Sequence, residues 1–235
     1  TPAASFEEYT LTLTDGEQSV TLQHLLIGEV WLCAGQSNMV MPLNGFDYCP
    51  ISDSNNVIAD APNHPGIRMV TIKPTVKLSP QEYAEGSWQQ PTTENAPKFS
   101  AAAYHYALTL QRTLQIPIGV ITCAWGGSRV EGWLPKEILQ TYKDEDLTLI
   151  GSDKTPVYLQ SMLMYNGILY PCHKYTIKGF IWYQGESNVR SCRTYAERLA
   201  TMVKHWRSIW KQGDLPFYYV ETVPFACEYK EDGYI

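Results

Sequence analysis

The chain has 235 residues, of which 44% are hydrophobic and 18% charged, with 16 Gly and 15 Pro. That length suits one α/β domain of generous size with at most a scrap of a neighbour, and the apolar content excludes disorder and low complexity. A net charge of −6 with interspersed signs offers no basic stripe for a phosphate backbone, and apolar runs such as 116–125 are too short and too broken by Pro, Gly and Thr to span a bilayer. The 16 Tyr, 7 Trp and 6 Phe fit sugar recognition, but they fit ordinary core packing better.

The first elements alternate with period two. Tyr9 to Thr14, the turn signal Asp15-Gly16, and Val20 to Leu22 predict a β-hairpin. A lone hairpin is marginal in water, so residues 1–24 are expected to be the remnant of an N-terminal β-domain. The remainder, 25–235, is expected to be one α/β domain. Leu26 to Ala34 is a nearly continuous apolar run, as for a parallel strand buried on both faces. Pro42 to Pro65 is expected to be irregular. Ile67 to Ile72 reads as a strand, and Ser100 to Gln115 as a helix presenting Ala103, Tyr106, Ala107, Leu110 and Leu114. Ile118 to Ala124 reads as a second buried strand, Leu159 to Leu169 as helical and Ile177 to Tyr183 as a third strand. Tyr195 to Trp210 is an amphipathic helix and Phe217 to Thr222 a fourth strand. Strands alternating with helices predict a parallel sheet covered on both faces.

The cysteines do not form a metal or redox motif. None of Cys33, Cys49, Cys123, Cys172, Cys192 and Cys227 has C-x-x-C spacing. Cys33 and Cys123 sit in strand-like runs as small apolar residues, whereas Cys49, Cys172 and Cys192 are placed where they could pair.

Three of the buried strands end in glycine and small polar residues: Gly35-Gln36-Ser37-Asn38-Met39, Trp125-Gly126-Gly127-Ser128 and Gln184-Gly185-Glu186-Ser187-Asn188. Ligands of open α/β sheets bind outside the carboxyl ends of the strands. Ser37 there could be a nucleophile or a helix N-cap. Gly126-Gly127 could donate backbone N–H groups or simply turn the chain. The Asn188 amide suits a developing oxyanion, and equally a turn.

Taken together, these blocks resemble the sialate O-acetylesterase family, a branch of the SGNH hydrolases that includes some acetylxylan esterases. The run from Glu29 to Met39 is very like that family's nucleophile block. Trp125-Gly126-Gly127-Ser128 with Glu131-Gly132-Trp133 looks like its second block. Tyr165-Asn166-Gly167, Pro171 and Trp182-Tyr183-Gln184-Gly185-Glu186-Ser187-Asn188 look like its third. Trp206-Arg207 and Gly213-Asp214-Leu215-Pro216-Phe217 continue the match, which covers about Leu22 to Pro224. The resemblance implies a three-layer α/β/α SGNH-hydrolase fold on a flavodoxin-like parallel sheet. It also implies metal-free, cofactor-free hydrolysis of acetyl esters on sialic acids or related glycans. Carried over, it makes Ser37 the nucleophile. The Ser37 N–H, the Gly127 (or Gly126) N–H and the Asn188 amide become the oxyanion hole, with Gln184 as a substitute for Asn188. Gln36, Gln184 and Glu186 become substrate-contacting or site-orienting residues. Arg129 could meet a sugar carboxylate, or form an ordinary ion pair.

The family's late Asp-x-x-His block, which supplies the general base, has no counterpart here. The chain's five histidines, His24, His64, His105, His173 and His205, stand at the wrong places in the chain order. The chain begins Thr1-Pro2-Ala3, without Met or signal peptide, and ends Asp232-Gly233-Tyr234-Ile235, a turn followed by strand formers. The base is therefore expected in a C-terminal segment lost from this sequence or in a second chain, and this chain alone is expected to be nearly inactive. An extracytoplasmic site of action, periplasmic, secreted or lysosomal, follows from where such glycans lie. The alternatives are an acetylxylan esterase of the same family, a carbohydrate-binding pseudoenzyme and, with no glycine-rich phosphate motif to support it, a nucleotide-binding protein.

Overall fold

The computed structural model describes residues 3–223. Cys227 and the 232–235 turn lie outside the described residues. Two strands, β1 (Ser5–Thr14) and β2 (Ser19–Ile27), pair antiparallel as a separate two-stranded sheet. Its turn is fastened by Asp15, whose carboxylate accepts the N–H groups of Glu17 and Gln18 at 3.0 and 2.8 Å. Leu26 and Ile27 finish this hairpin and do not begin the next strand, so the apolar run read as one strand is two. The central strand β3 covers Glu29–Gly35.

The main sheet has five parallel strands in the order β4-β5-β3-β6-β7, where β4 is Ile67–Thr71, β5 Ile118–Ala124, β6 Gly179–Tyr183 and β7 Phe217–Tyr219. Renumbered within the sheet, the order is 2-3-1-4-5, where the flavodoxin arrangement is 2-1-3-4-5. The strand carrying Ser37 at its end is thus flanked directly by the two strands that carry the other glycine-rich ends.

Period-two alternation builds the three layers. On β3, Leu32 and Ala34 join a core with Ile121, Cys123, Trp182, Trp206 and Trp210, while Trp31 and Cys33 join the opposite core with Ile118, Val120, Tyr104 and Leu108. The second of these cores is covered by α1 (Ser37–Val40), α2 (Ser54–Asp60) and α3 (Ala101–Leu114); the first by α5 (Cys192–Trp210). A short α4 (Lys136–Leu139) follows the β5 loop. Ser100 caps α3 by accepting the Ala103 N–H at 3.2 Å, and Gln115 closes it in a left-handed conformation two residues before Pro117. The buried face of α3 runs through Ala103, Tyr104, Ala107, Leu108 and Gln111, rotated from the expected one, and Leu114 is exposed. α2 stands inside the segment expected to be irregular. Of the segment expected to be helical over 159–169, the second half, Tyr165–Leu169, is a π-helix.

Burial pushes the Cys33 thiol up to about 12. Cys172 does not pair with Cys49 or Cys192, which are exposed; it is buried with its sulfur 3.9 Å from that of Cys123, and both are thiols. Among the described residues, no helix is long and apolar enough to cross a membrane.

Candidate active site

The site is built where β3, β5 and β6 end. At Gly35 the strand passes so close to β6 that a Cβ would stand 2.1 Å from the Tyr183 carbonyl oxygen, and φ is +147°. Only glycine fits there. The next residue is locked in turn: the Gln36 N–H donates to the Tyr183 carbonyl at 3.0 Å, and its Oε1 accepts the N–H groups of Gly185 and Ser187, each at 3.3 Å. Gln36 is buried and pins the β6 loop to the loop that follows β3.

Ser37 opens α1, half-buried at the sheet's rim. Met39, fully buried in the core, anchors that short helix from below. Among the described residues no group hydrogen-bonds the Ser37 hydroxyl, and the N–H groups of Ser37, Gly126 and Gly127 have no acceptor. Gly126 is the neighbour of Ser37, since a Cβ placed on it would lie 4.0 Å from the Ser37 Cβ. Gly127 has φ +74° and packs under the Tyr158 ring. Beside Ser37, the Asn38 Nδ2 donates to Glu186 Oε1 at 2.7 Å, while Glu186 Oε2 is buried without a partner. This joins the nucleophile loop to the β6 loop a second time.

Three of the side chains assigned to the site do other work. Asn188 is buried, and its amide donates to both Glu131 oxygens, at 2.9 and 3.2 Å, and to Ser191 Oγ, while its carbonyl accepts from Val130 N–H and Gln184 Nε2, each at 2.8 Å. The carboxylate requires a donor and the backbone N–H an acceptor, which fixes the amide's orientation. No hydrogen is left for an oxyanion. Gln184 cannot replace it: its amide donates to Ser128 O at 3.0 Å and to Asn188, and its Oε1 accepts from Tyr195 OH. Burial pushes that Tyr195 hydroxyl up to about 12, so it remains a donor. Arg129, read as a possible sugar contact, is bound to Glu145 at 2.7 Å and to the Leu159 carbonyl at 3.0 Å.

These three belong to a buried polar cluster that sequence reading did not find. Glu131, at 0% exposure, pairs with Arg198, at 2%, and Arg198 reaches on to Asp144 at 2.6 Å. The cluster joins the β5 loop to the β6 loop and to α5. The signal available was only the charged residues inside otherwise apolar blocks, Glu131 before Trp133 and Arg198 on the inner side of an amphipathic helix.

None of the histidines reaches Ser37. His24 bonds to Glu8, His64 to Asp60, His173 to the Tyr170 carbonyl and His205 to Tyr165 OH, while His105 is exposed on α3. Among the described residues, no three His, Cys, Asp or Glu side chains are grouped to hold a metal ion.

The same residues are matched by known proteins. A family model described as carbohydrate esterase, sialic acid-specific acetylesterase matches residues 27–232. Human sialate O-acetylesterase is 27% identical over 204 residues, covering 83% of this chain and 38% of its own length. The mouse protein of the same name is 25% identical over 263 residues, 93% of this chain and 48% of its own. A crystal structure of a carbohydrate acetylesterase from Xanthomonas citri superposes with a TM-score of 0.78 at 30% identity, covering 92% of this chain and 46% of that one. A structure from Arabidopsis thaliana, at 18% identity and a TM-score of 0.51, shares the fold. The chain thus spans less than half the length of the curated relatives it matches. With a family model matching residues 27–232, most of its length, the chain belongs to the sialic acid-specific acetylesterase family of carbohydrate esterases.

Proposed function

We propose that these residues carry the nucleophile and the oxyanion donors of a carbohydrate O-acetylesterase. The observation that supports this most directly is the convergence of a half-buried serine with unsatisfied backbone N–H groups at the carboxyl ends of adjacent parallel strands. Ser37 Oγ attacks the carbonyl carbon of a sugar acetate. The carbonyl oxygen becomes an oxyanion, held by the N–H groups of Ser37 and of the Gly126-Gly127 pair, where preorganised donors are worth most. The sugar hydroxyl leaves with a proton, and water releases acetate from the acetyl-serine. Gln36 and Glu186 position the loops and touch no reacting atom.

The proton acceptor is supplied by polypeptide other than these 235 residues; the support is that each histidine is committed elsewhere or exposed away from Ser37. The substrates are acetylated sialic acids or related glycans, with acetylxylan the alternative, and the site of action lies outside the cytoplasm, where such glycans are found. The test is turnover of an O-acetylated sialoside and of acetylated xylan by the full natural polypeptide. Ser37→Ala is expected to lower kcat by at least about a thousandfold. Undiminished turnover by that variant would overturn the assignment. Tight sugar binding with no turnover by the wild type would make the protein a non-catalytic binder.

A further inference from the structure

Two cavities meet beside the nucleophile, and one cation stands where they meet. The inner one, of about 190 Å3, is lined by Val40, Thr71, Thr122, Trp125 and Gly126, the last being the neighbour of Ser37. It is below the roughly 300 Å3 at which pockets for whole drug-sized ligands begin, so it takes one end of a sugar. Thr122 is 3% exposed, and its hydroxyl is buried without a partner. A buried hydroxyl left unpaired is costly, and this residue stands in the wall of the cavity. The outer cavity, of about 700 Å3, shares Thr71 with the inner one and is walled by Ser87, Gln89 and Thr92. The side chains of Ser87 and Gln89 make no hydrogen bond among the described residues. Unpaired polar groups along a groove match the hydroxyls of a glycan.

Lys98 lines both cavities and is the only cation among the described residues that lines either. Among the described residues it has no ion pair and no side-chain hydrogen bond. The other basic candidate, Arg129, is held by Glu145. Glu94 lines the outer cavity and repels an anion there, which leaves the junction as the place for one.

We infer that Lys98 is the residue that reads a carboxylate on the sugar, set at the junction of an inner cavity for the acetylated end and an outer groove for the rest of the glycan. This rests on the esterase reading above. An ammonium–carboxylate contact is a charge-assisted hydrogen bond, stronger than its neutral counterpart and weakened by salt.

The probe pair is N-acetylneuraminate and its methyl ester, in which a methyl group caps the carboxylate and removes its charge. Equilibrium binding is measured on the full natural polypeptide, on Lys98→Gln and on Lys98→Arg. The wild type is expected to bind the acid about tenfold more tightly than the ester. Lys98→Gln is expected to bring that ratio near one, and Lys98→Arg to keep most of it. Lys98 is exposed, so folding is not at risk, and Lys211→Gln, in a groove along α5, is the control that leaves the ratio unchanged. An equal ratio in wild type and Lys98→Gln, or no wild-type preference for the acid, overturns the inference. Hydrolysis of 4-nitrophenyl acetate, followed separately, reports on the esterase reading alone, so the two failures are distinguishable.

Discussion

A methyl group added at Gly126 and one added at Gly127 meet different surroundings. At Gly126 it would stand 4.0 Å from the Ser37 Cβ, an ordinary contact. Gly126→Ala should therefore fold with its stability within about 0.5 kcal/mol of wild type. The methyl nevertheless occupies space beside the nucleophile that the acetyl carbonyl needs, so kcat/KM on 4-nitrophenyl acetate should fall at least about tenfold. At Gly127, φ of +74° and a Tyr158 carbon 2.8 Å from the new Cβ make alanine strained. Gly127→Ala should lose about 1–2 kcal/mol and roughly 2–8 °C in Tm as well as activity. Thermal melts and steady-state kinetics on the full natural polypeptide check both; a fully active Gly126→Ala would move the oxyanion site away from that loop. At this scale the sequence was legible where a local constraint decides. Ser37, Gly126 and Gly127 stand two or three residues past strand ends, and the strands place them. The partners of Asn188 were not legible because they are decided elsewhere: its amide meets Glu131, 57 positions away, and no spacing rule reports that.

The loops after β5 and β6 act as one element because a buried ion cluster joins them. Glu131 is its centre, accepting from Asn188 and pairing with Arg198, with Arg129 3.7 Å away. Removing one partner of a buried pair leaves the other charge unpaired, and that costs about 3–5 kcal/mol. Glu131→Ala should show that loss in urea unfolding, and Glu131→Gln a smaller one, because it keeps a polar contact to Asn188. A loss below about 1 kcal/mol for Glu131→Ala would mean that water or Asp144 and Glu145 neutralise Arg198 unaided. The elements themselves were legible to different degrees for a shared reason. The strands β4, β5 and β6 and the helices α3 and α5 carry long apolar periodicities. α2, with the sequence Ser-Asn-Asn-Val-Ile-Ala-Asp, is poor in helix formers and is held by its place against the core through Val57 and Ile58. In the Tyr165–Leu169 π-helix, distant contacts decide: the Asn166 side-chain amide donates to the Lys77 carbonyl at 3.0 Å, and the Asn166 backbone carbonyl accepts from Gln81 N–H at 3.0 Å.

For the whole molecule, alternation of strands and helices predicted the layers but not the strand order, since order is set by which edges meet after long connections. The two-sided core was legible, because the interior strands carry apolar residues on both faces; the buried charges threaded through it were not. The way those layers close also sets how stability should respond to pH. His205 sits on α5 against Tyr165, its Nε2 2.8 Å from the tyrosine hydroxyl. Burial holds the imidazole below its ordinary value, against a smaller opposing pull from Glu137. Burial also pushes the Tyr165 hydroxyl up, so tyrosine is the donor and neutral histidine the acceptor. As pH falls below about 6.5, the unfolded chain binds a proton at His205 that the folded chain refuses. The unfolded state then holds more protons, so stability falls with falling pH until the folded imidazole also titrates. This contribution is fully present above about pH 6.5 and is lost on acidification through the folded value. His205→Gln keeps a hydrogen-bonding side chain but cannot titrate. Its Tm should fall less than that of the wild type between about pH 7 and pH 5. Parallel curves, measured by circular dichroism at matched ionic strength, would show that His205 titrates alike in the folded and unfolded chains and that the acid sensitivity belongs to the carboxylates.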